Sequence, residues 1–164
     1  MTNILDKYQD IALVDTGSGY FDIDFDDQGD FLKTKGLDTS LLMTVFEKRR
    51  AAESEIVQPE QRNGWLGNDI LSIPNFEIGS KNWLLYQSRA DQETLNFAKS
   101  WNLEASQWYV EDDIVDSVEV NSYYNDLNQL MIDITFVQGN KTITKSINLW
   151  ENTRYIKFGD IDNG

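Results

Sequence analysis

The chain has 164 residues, 40% hydrophobic and 12% aromatic, which is enough apolar side chain to build the core of one domain. It contains neither cysteine nor histidine, which excludes disulfides, thiolate nucleophiles and imidazole catalysis, and removes the commonest ligands of transition metals. Because 28 acidic residues against 14 basic ones give a net charge of −14, we expect no nucleic-acid partner and no membrane partner.

The beginning of the chain is predicted to form a β-hairpin. A short apolar run at 11–14 precedes a turn at 17–19, and Phe21, Ile23 and Phe25 then alternate with aspartates, as in a strand with one solvated face. Turn residues at 27–29 lead into a second strand at 30–35.

The aspartates of this hairpin also invite comparison with a calcium-binding loop of the EF-hand type. Counted from Asp24, the residues Asp26, Gln28 and Gly29 match the ligand and glycine positions, but Lys35 stands where a bidentate carboxylate is required. A solvated strand and turn is the better interpretation. We therefore expect no metal site, and we predict no cofactor.

The first predicted helix follows this hairpin. Asp38 is its expected N-cap, and Leu37 and Leu42 form a hydrophobic staple around it. The basic residues at 48–50 are expected in the last turn, where cations suit the helix dipole. Residues 51–81 then lack clear periodicity, and ordered loops of this length are usually functional.

The second predicted helix starts near Ser88 or Asp91 and is expected to pack broadly across a sheet. Its apolar stripe recurs at three- and four-residue steps, at Leu95, Ala98, Trp101, Ala105 and Trp108. The apolar spacing returns to two after Asp113 and predicts strands around Val118, at 130–136 and at 143–149. The predicted fold class is therefore α+β. Two main helices pack on mostly antiparallel sheet, with an N-terminal hairpin and a C-terminal three-stranded meander.

Two local patterns could carry function. Paired carboxylates can hydrolyse a glycoside without histidine, but adjacent acids such as Glu111 and Asp112 are more often a solvated helix end, so no catalytic residue is assigned. In Arg-Asn-Gly-Trp-Leu-Gly at 62–67, two glycines bracket Trp65. This tryptophan either fills the core of the long loop or, beside Arg62, forms an interface hot spot.

Short motifs follow one another in order along residues 22–149. They are the helix with Arg49-Arg50-Ala51, Arg62-Asn-Gly-Trp-Leu-Gly-Asn68, Gly79-Ser-Lys-Asn-Trp-Leu-Leu85, Glu93-Thr-Leu95, Gln107-Trp108 and Asp116-Ser-Val-Glu-Val120. In this order they resemble the Mu-type phage baseplate family named after gene product forty-six. The chain departs from the family pattern at Asn63, which loosens the Arg-Gly-Trp motif, and at Leu66 and Asn68, which replace a Trp and an Asp.

That family resembles, more distantly, the sheath initiator that T-even phages encode as gene product twenty-five. The Glu-Pro-Arg docking motif of those proteins has no counterpart at 108–113, so that contact is not expected here. The resemblance implies a non-enzymatic component of a contractile tail baseplate. It would be a wedge protein that joins the wedge to the first sheath ring and initiates sheath assembly, located in the virion and assembled in the host cytoplasm.

The resemblance also implies partners and copy number. We expect six copies per baseplate, contacts with a larger wedge protein and the tail sheath protein, and central hub, spike or tube proteins as further neighbours. A carboxylate-type peptidoglycan hydrolase and an acidic inhibitor that mimics DNA are the two alternatives from other classes. Residues 1–164 are expected to form one domain, because no repeat or linker interrupts them. The first residues have neither a basic region nor an apolar one, so we do not expect them to be a signal peptide.

The predicted partner-binding residues form two groups. The first group belongs to the motifs and comprises Arg49, Arg50, Arg62, Gly64, Trp65, Gly67 and Trp83. The second group is Ile143, Lys145 and Ile147 in the last strand, which we expect to be a sheet edge that accepts extended sheath termini by main-chain pairing. Lys141 and Lys145 are expected on the solvent face, where they would guard this edge against premature pairing.

Overall fold

A computed structural model describes residues 8–15, 21–56, 62–71 and 76–150. The predicted turn at 17–19 and both prolines lie outside the described residues. The strands are β1 (Gln9–Ile11), β2 (Leu13–Asp15), β3 (Phe21–Ile23), β4 (Lys33–Lys35), β5 (Ser117–Tyr124), β6 (Leu130–Gln138) and β7 (Lys141–Asn148). The helices are α1 (Asp38–Phe46), α2 (Leu66–Leu71), α3 (Gln92–Ala105) and α4 (Trp108–Glu111), with 3₁₀ turns at Glu53–Glu55 and Asn82–Leu85. This mixture of helices and antiparallel sheet confirms the α+β prediction.

The C-terminal three-stranded meander is confirmed, with β6 between β5 and β7. Val120 lies opposite Ile134, which lies opposite Lys145 on the other side. Alternate residues of β6 are fully buried on one face of the sheet, namely Leu130, Ile132, Ile134 and Phe136. This face of the meander is the centre of the hydrophobic core.

Helix α3 covers the core face of the sheet, mainly over β5. It begins where predicted, because the carboxylate of Asp91 accepts a hydrogen bond from the Thr94 amide at 2.9 Å and so caps the helix. Ala98 is fully buried. Trp108, the last residue of the predicted stripe, lies instead in the separate helix α4. Within the described residues, no helix combines the length and the apolar character needed to cross a bilayer.

Helix α1 differs from its prediction at both ends. Asp38 is the first helical residue rather than the N-cap. The first turn is capped from another element, because Asp10 Oδ2 in β1 accepts a hydrogen bond from the Ser40 amide at 2.7 Å. The helix ends at Phe46, so residues 48–50 lie beyond its last turn. The extended chain there pairs with Ser80, whose carbonyl accepts a hydrogen bond from Arg49 N at 2.9 Å.

The N-terminal hairpin is present, but its two strands pair directly with each other only near the turn. Phe25 lies opposite Phe31 across it, and the Asp26 amide bonds to the Asp30 carbonyl at 2.9 Å. Beyond this pair, β3 pairs with β2 and β4 pairs with β1. The Tyr8 hydroxyl then ties this N-terminal arm to the domain by donating to Ile114 O at 3.1 Å.

The prediction that Lys145 lies on the solvent face of β7 is wrong. Because side chains alternate along a strand, Lys145 shares the core face with Ile143 and Ile147, and it is only 8% exposed. Its ammonium group lies 3.4 Å from Asp38 Oδ1 at the start of α1. The apolar stem of the lysine is thus buried, and its charge has a partner at the end of the helix.

Candidate functional site

The motif residues meet in one region, where the chain leaving α1 contacts the segment 62–71. The Ala51 amide donates to Arg62 O at 3.0 Å, and Arg62 Nε donates to Ala51 O at 2.7 Å. Arg62 Nη1 also lies 3.5 Å from Glu53 Oε1. These contacts fix the start of the segment against residues 51–53 of the chain that leaves α1, and they occupy the guanidinium group of Arg62.

Arg49 and Trp83 stabilise the same region from within. The Trp83 indole donates to Arg49 O at 3.0 Å. The Arg49 guanidinium forms ion pairs with Glu77 at 2.9 Å and Glu104 at 3.1 Å, in a cleft of about 190 Å³ that is also lined by Trp108. Both side chains therefore have internal partners.

Gly64 and Trp65 shape the exposed part of the segment. Gly64 has a φ of +133°, which a side chain would strain, and it faces Arg50. The half-buried ring of Trp65 lies over Gly67, where a Cβ atom would come within 2.5 Å of three ring carbons. Arg50 is more than half exposed, with Nη1 3.9 Å from Asp69 Oδ1. Of the predicted motif residues, Arg50 and Gly64 are exposed, and the half-buried Trp65 lies beside Gly64.

Two apolar side chains on α2 complete this surface, and sequence reasoning did not identify them as functional. Leu66 is 69% exposed and Ile70 is 72% exposed. They stand one helical turn apart, so they lie side by side on the helix. Their four-residue spacing was the available signal, but a helix of this length gives little periodicity to read.

Asn68 shows what the departure from the family pattern does locally. Its side-chain oxygen accepts a hydrogen bond from Ile78 N, and its side-chain nitrogen donates to Ile78 O, both at 2.9 Å. An aspartate at this position has no donor for the carbonyl. The asparagine therefore holds α2 against residue 78 at two points.

The Gly79-Ser-Lys-Asn motif joins α1 to α3 through buried polar groups. The fully buried side chains of Asn82 and Asn102 exchange two hydrogen bonds of 2.8 Å, and Asn82 also donates to Val45 O at 3.0 Å. The Ser80 hydroxyl donates to the same carbonyl at 2.7 Å. Gly79 has a φ of +105°, and a Cβ atom there would lie 2.5 Å from Glu47 O.

Lys81 of this motif pairs with Glu55 at 2.9 Å. Burial alone would raise the pKa of the Glu55 carboxyl, but hydrogen bonds from Lys81 and the Ala52 amide, with the Lys81 charge, bring the pKa below its usual value. The carboxylate therefore stays ionised, and it fastens the turn at Glu53–Glu55 to the motif.

The second predicted group lies in β7. Its side chains face the core, whereas some backbone amides of the strand face away from the sheet. Ile147 and Lys145 are buried on the core face, and Ile143 is half-buried there. The Leu149 amide donates to Leu130 O. Every second residue before Leu149, namely Ile147, Lys145 and Ile143, therefore forms a hydrogen-bonded pair with β6. Thr142, Thr144 and Ser146 therefore turn their amides away from β6, and no further strand lies beside β7 in the described part of the chain.

The other candidate acids lie in two places, at the end of α4 and in the N-terminal hairpin. Glu111, Asp112 and Asp113 are exposed at the end of α4. In the hairpin, Asp26 Oδ1 accepts hydrogen bonds from the amides of Gln28 at 2.9 Å and Asp30 at 3.0 Å. No group of three or more potential metal ligands occurs among the residues that the structure describes.

The junction built by the motif residues lies within a stretch of the chain that matches a known family. The family model described as Phage protein GP46 matches residues 37–143, from the start of α1 into β7. The chain therefore belongs to this family, which confirms the resemblance inferred from the motifs.

Two curated relatives match part of the chain. It is 33% identical over 81 residues to the Baseplate protein gp46 of Escherichia phage Mu, covering 48% of this chain and 54% of that protein. It is 31% identical over 78 residues to the Mu-like prophage FluMu protein gp46 of Haemophilus influenzae, covering 48% of this chain and 56% of that protein. The chain spans about half the length of these relatives.

Proposed function

We propose that this chain is a structural, non-enzymatic component of a phage tail baseplate, in keeping with the name of its Mu relative. More specifically, it acts as a wedge protein of a contractile tail, joins the wedge to the first sheath ring and initiates sheath assembly. Six copies stand around the tail in the virion after assembly in the host cytoplasm. Its partners are the larger wedge protein, the tail sheath protein and neighbouring hub, spike or tube proteins.

The open edge of β7 is the observation that carries the sheath contact. A strand with an outward row of amides and carbonyls can accept an extended chain, and main-chain pairing of this kind gives affinity without demanding a particular side chain. The outward amides belong to Thr142, Thr144 and Ser146. The core-facing Ile143, Lys145 and Ile147 support this role by fixing the strand against the domain.

A pair of substitutions at Thr144 tests the sheath contact. Thr144→Pro removes an outward amide while leaving the β6–β7 hydrogen bonds in place, which is the setting in which sheets tolerate proline. Thr144→Ala keeps the amide. Both variants lose the 2.9 Å hydroxyl contact between Thr144 and Thr135, so their difference reports on the backbone. Baseplates, tube and sheath protein are mixed, and extended sheaths are counted by electron microscopy.

We expect normal sheath growth with the alanine variant and little or none with the proline variant. Circular dichroism and urea unfolding must first show that both variants fold. Normal growth from baseplates that carry folded Thr144→Pro would exclude β7 as the template. The N-terminal hairpin at 21–35 would then be the next strand to test.

The contact with the larger wedge protein is assigned to the motif surface formed by Arg50, Trp65, Leu66 and Ile70. Trp65→Ala should weaken binding to that protein by about 2 kcal/mol, as at interface hot spots. Leu127→Ala is the matched control, because Leu127 is 77% exposed on the turn between β5 and β6. If Trp65→Ala lowers the stability of the chain but binds normally when folded, Trp65 only fills the loop.

The hydrolase alternative has less support. A glycosidase needs one carboxyl group held protonated, usually by burial in an apolar site. The acids at 111–113 are solvent-exposed. A zymogram on peptidoglycan tests this alternative directly, and we expect no clearing.

A further inference from the structure

The tip of the N-terminal arm forms a distinct projection, which we call the finger and define as residues 24–32. Its base is closed where the Ala12 amide donates to Leu32 O at 2.8 Å and the Asp24 amide donates to Ala12 O at 3.0 Å. Its tip is closed by the Asp26 carboxylate, which accepts two backbone amides. Hydrogen bonds therefore hold the finger as a hairpin from its base to its tip.

The finger is also held in position relative to the domain. The Asp10 carboxylate bonds to the first turn of α1, the Thr39 hydroxyl donates to Ile11 O, and Tyr8 bonds to Ile114. These contacts join the arm to α1 and to the segment before β5. A projection that is fixed before binding loses little conformational entropy when a partner docks on it.

Apolar side chains of the finger are exposed in the described part of the chain. Phe25 is 55% exposed and Phe31 is 51% exposed, and their rings lie 5.5 Å apart, tilted against each other. Leu32 is 39% exposed beside them. Two adjacent aromatic rings that remain half exposed bury only part of their apolar area on folding. The remaining area forms a surface that another molecule can cover.

Carboxylates dominate the charge around these rings. Residues 21–33 contain five aspartates and one basic residue, Lys33, which follows Leu32 at the start of β4. The carboxylate of Asp26 serves the turn, while Asp22, Asp27 and Asp30 are exposed to solvent. This excess of negative charge favours a cationic segment and repels acidic segments and phosphate backbones.

We propose that the finger is a docking site for a basic protein segment that carries arginine or lysine next to apolar residues. The cations lie over the faces of Phe25 and Phe31 and beside Asp27 and Asp30, and the apolar residues cover Leu32. Arginine suits this site best, because its guanidinium group stacks on an aromatic ring while donating to a carboxylate. The proposal goes beyond the sheath and wedge contacts and does not depend on them.

The test uses the full chain and a defined probe, a fluorescein-labelled peptide of alternating arginine and valine. Its binding is measured by fluorescence anisotropy at about 50 mM and 300 mM salt, since screening weakens exposed charge pairs. A second peptide with glutamine in place of arginine measures the part of the affinity that does not need charge. We expect the arginine peptide to bind at least about tenfold more tightly than the glutamine peptide at the lower salt concentration.

Two pairs of matched variants separate a local site from general attraction to an acidic protein. Asp27→Asn with Asp30→Asn and Asp112→Asn with Asp113→Asn change the net charge equally, and all four carboxylates are exposed. Phe31→Ser and Leu127→Ser each remove one exposed apolar side chain. We expect losses of about tenfold for both finger variants and less than about twofold for both controls.

Equal losses in the finger variants and their controls would overturn the proposal, because the peptide would then sense only the net charge. Equal binding of the glutamine peptide would also overturn it. The asparagine pair leaves both rings in place, so it gives a valid result even where Phe31→Ser disturbs the hairpin. Sheath nucleation by the finger variants is expected to be normal, which keeps this result separate from the test of β7.

Discussion

The region that matches the family model, residues 37–143, and the N-terminal arm at 8–35 use their side chains differently. In the matched region, motif side chains turn inward: Asn82 pairs with Asn102, Trp83 with Arg49 O, and Arg49 with two glutamates. In the arm, Phe25 and Phe31 are half exposed among carboxylates. The motifs that carry the resemblance therefore mainly describe how the domain is held together.

This difference separates recognition of the family from location of its contacts. A buried amide pair or a glycine in close contact tolerates few alternatives, so such residues leave a clear pattern in a sequence. A docking surface needs only exposed apolar area or an open strand edge. Substitutions in the motifs should therefore reduce the free energy of unfolding, whereas substitutions on the exposed surfaces should leave it nearly unchanged.

The largest loss of stability is expected for Gly79→Ala. The backbone at Gly79 has a φ of +105°, and the new Cβ atom would lie 2.5 Å from Glu47 O, a backbone atom that the pairing with Ser80 holds in place. Strain and overlap together should reduce the free energy of unfolding by about 3 kcal/mol or more. Urea unfolding measures this change.

Gly29→Ala is the control for this prediction. Gly29 also has a positive φ, +82°, but no atom lies within 4 Å of the added Cβ. It should cost about 1 kcal/mol for the backbone conformation alone. Similar losses in the two variants would mean that the close approach of Gly79 to residue 47 is not important.

The next effect concerns the buried amide pair. Asn82→Ala removes both hydrogen bonds with Asn102 and one of the two side-chain donors to Val45 O. The free energy of unfolding should fall by about 2–3 kcal/mol. Because the two side chains satisfy each other, the double variant with Asn102→Ala should lose less than the sum of the single variants. Asn96→Ala is the control, since Asn96 bonds Gln92 on the exposed face of α3. Additive losses in the double variant would contradict a coupled pair.

Sequence reasoning predicted the elements with strong periodicity and missed what depends on distant residues. The strands of the meander and the start of α3 near Asp91 follow from local patterns, and both are confirmed. The cap of α1 comes from Asp10 in another element, and the burial of Lys145 depends on Asp38. Neither contact has a signal within a short window. For the candidate site, the motif residues were identified, but their partners and the exposed pair on α2 required the fold.

A smaller effect, visible only at alkaline pH, is expected from Tyr109. The pKa of its hydroxyl is raised from 10.0 to about 12, mainly by burial; hydrogen bonds to Ser40 and Thr44 act against this rise, and the carboxylates of Asp10 and Asp38 add to it. The folded chain therefore keeps a proton that the unfolded chain releases. The contribution of Tyr109 to the free energy of unfolding should be fully present below about pH 10. It should fall by about 2 kcal/mol as the pH rises from about 10 to 12. Tyr109→Phe should flatten this dependence, and equal slopes in both proteins would contradict it.

The smallest effect is expected where the motif segment reaches the surface. Leu66→Ser with Ile70→Ser removes two side chains that are 69% and 72% exposed, so the free energy of unfolding should change by no more than about 0.5 kcal/mol. Leu85→Ser, at a position only 2% exposed, should cost several times more, about 3 kcal/mol. Urea unfolding of both variants is compared with binding to the larger wedge protein. If the α2 variant loses more than about 1 kcal/mol, α2 contributes to the core, and the division between motif and surface fails in this segment. If it unfolds normally but binds weakly, the same short stretch of chain supports the fold through Asn68 and meets the partner through Leu66 and Ile70.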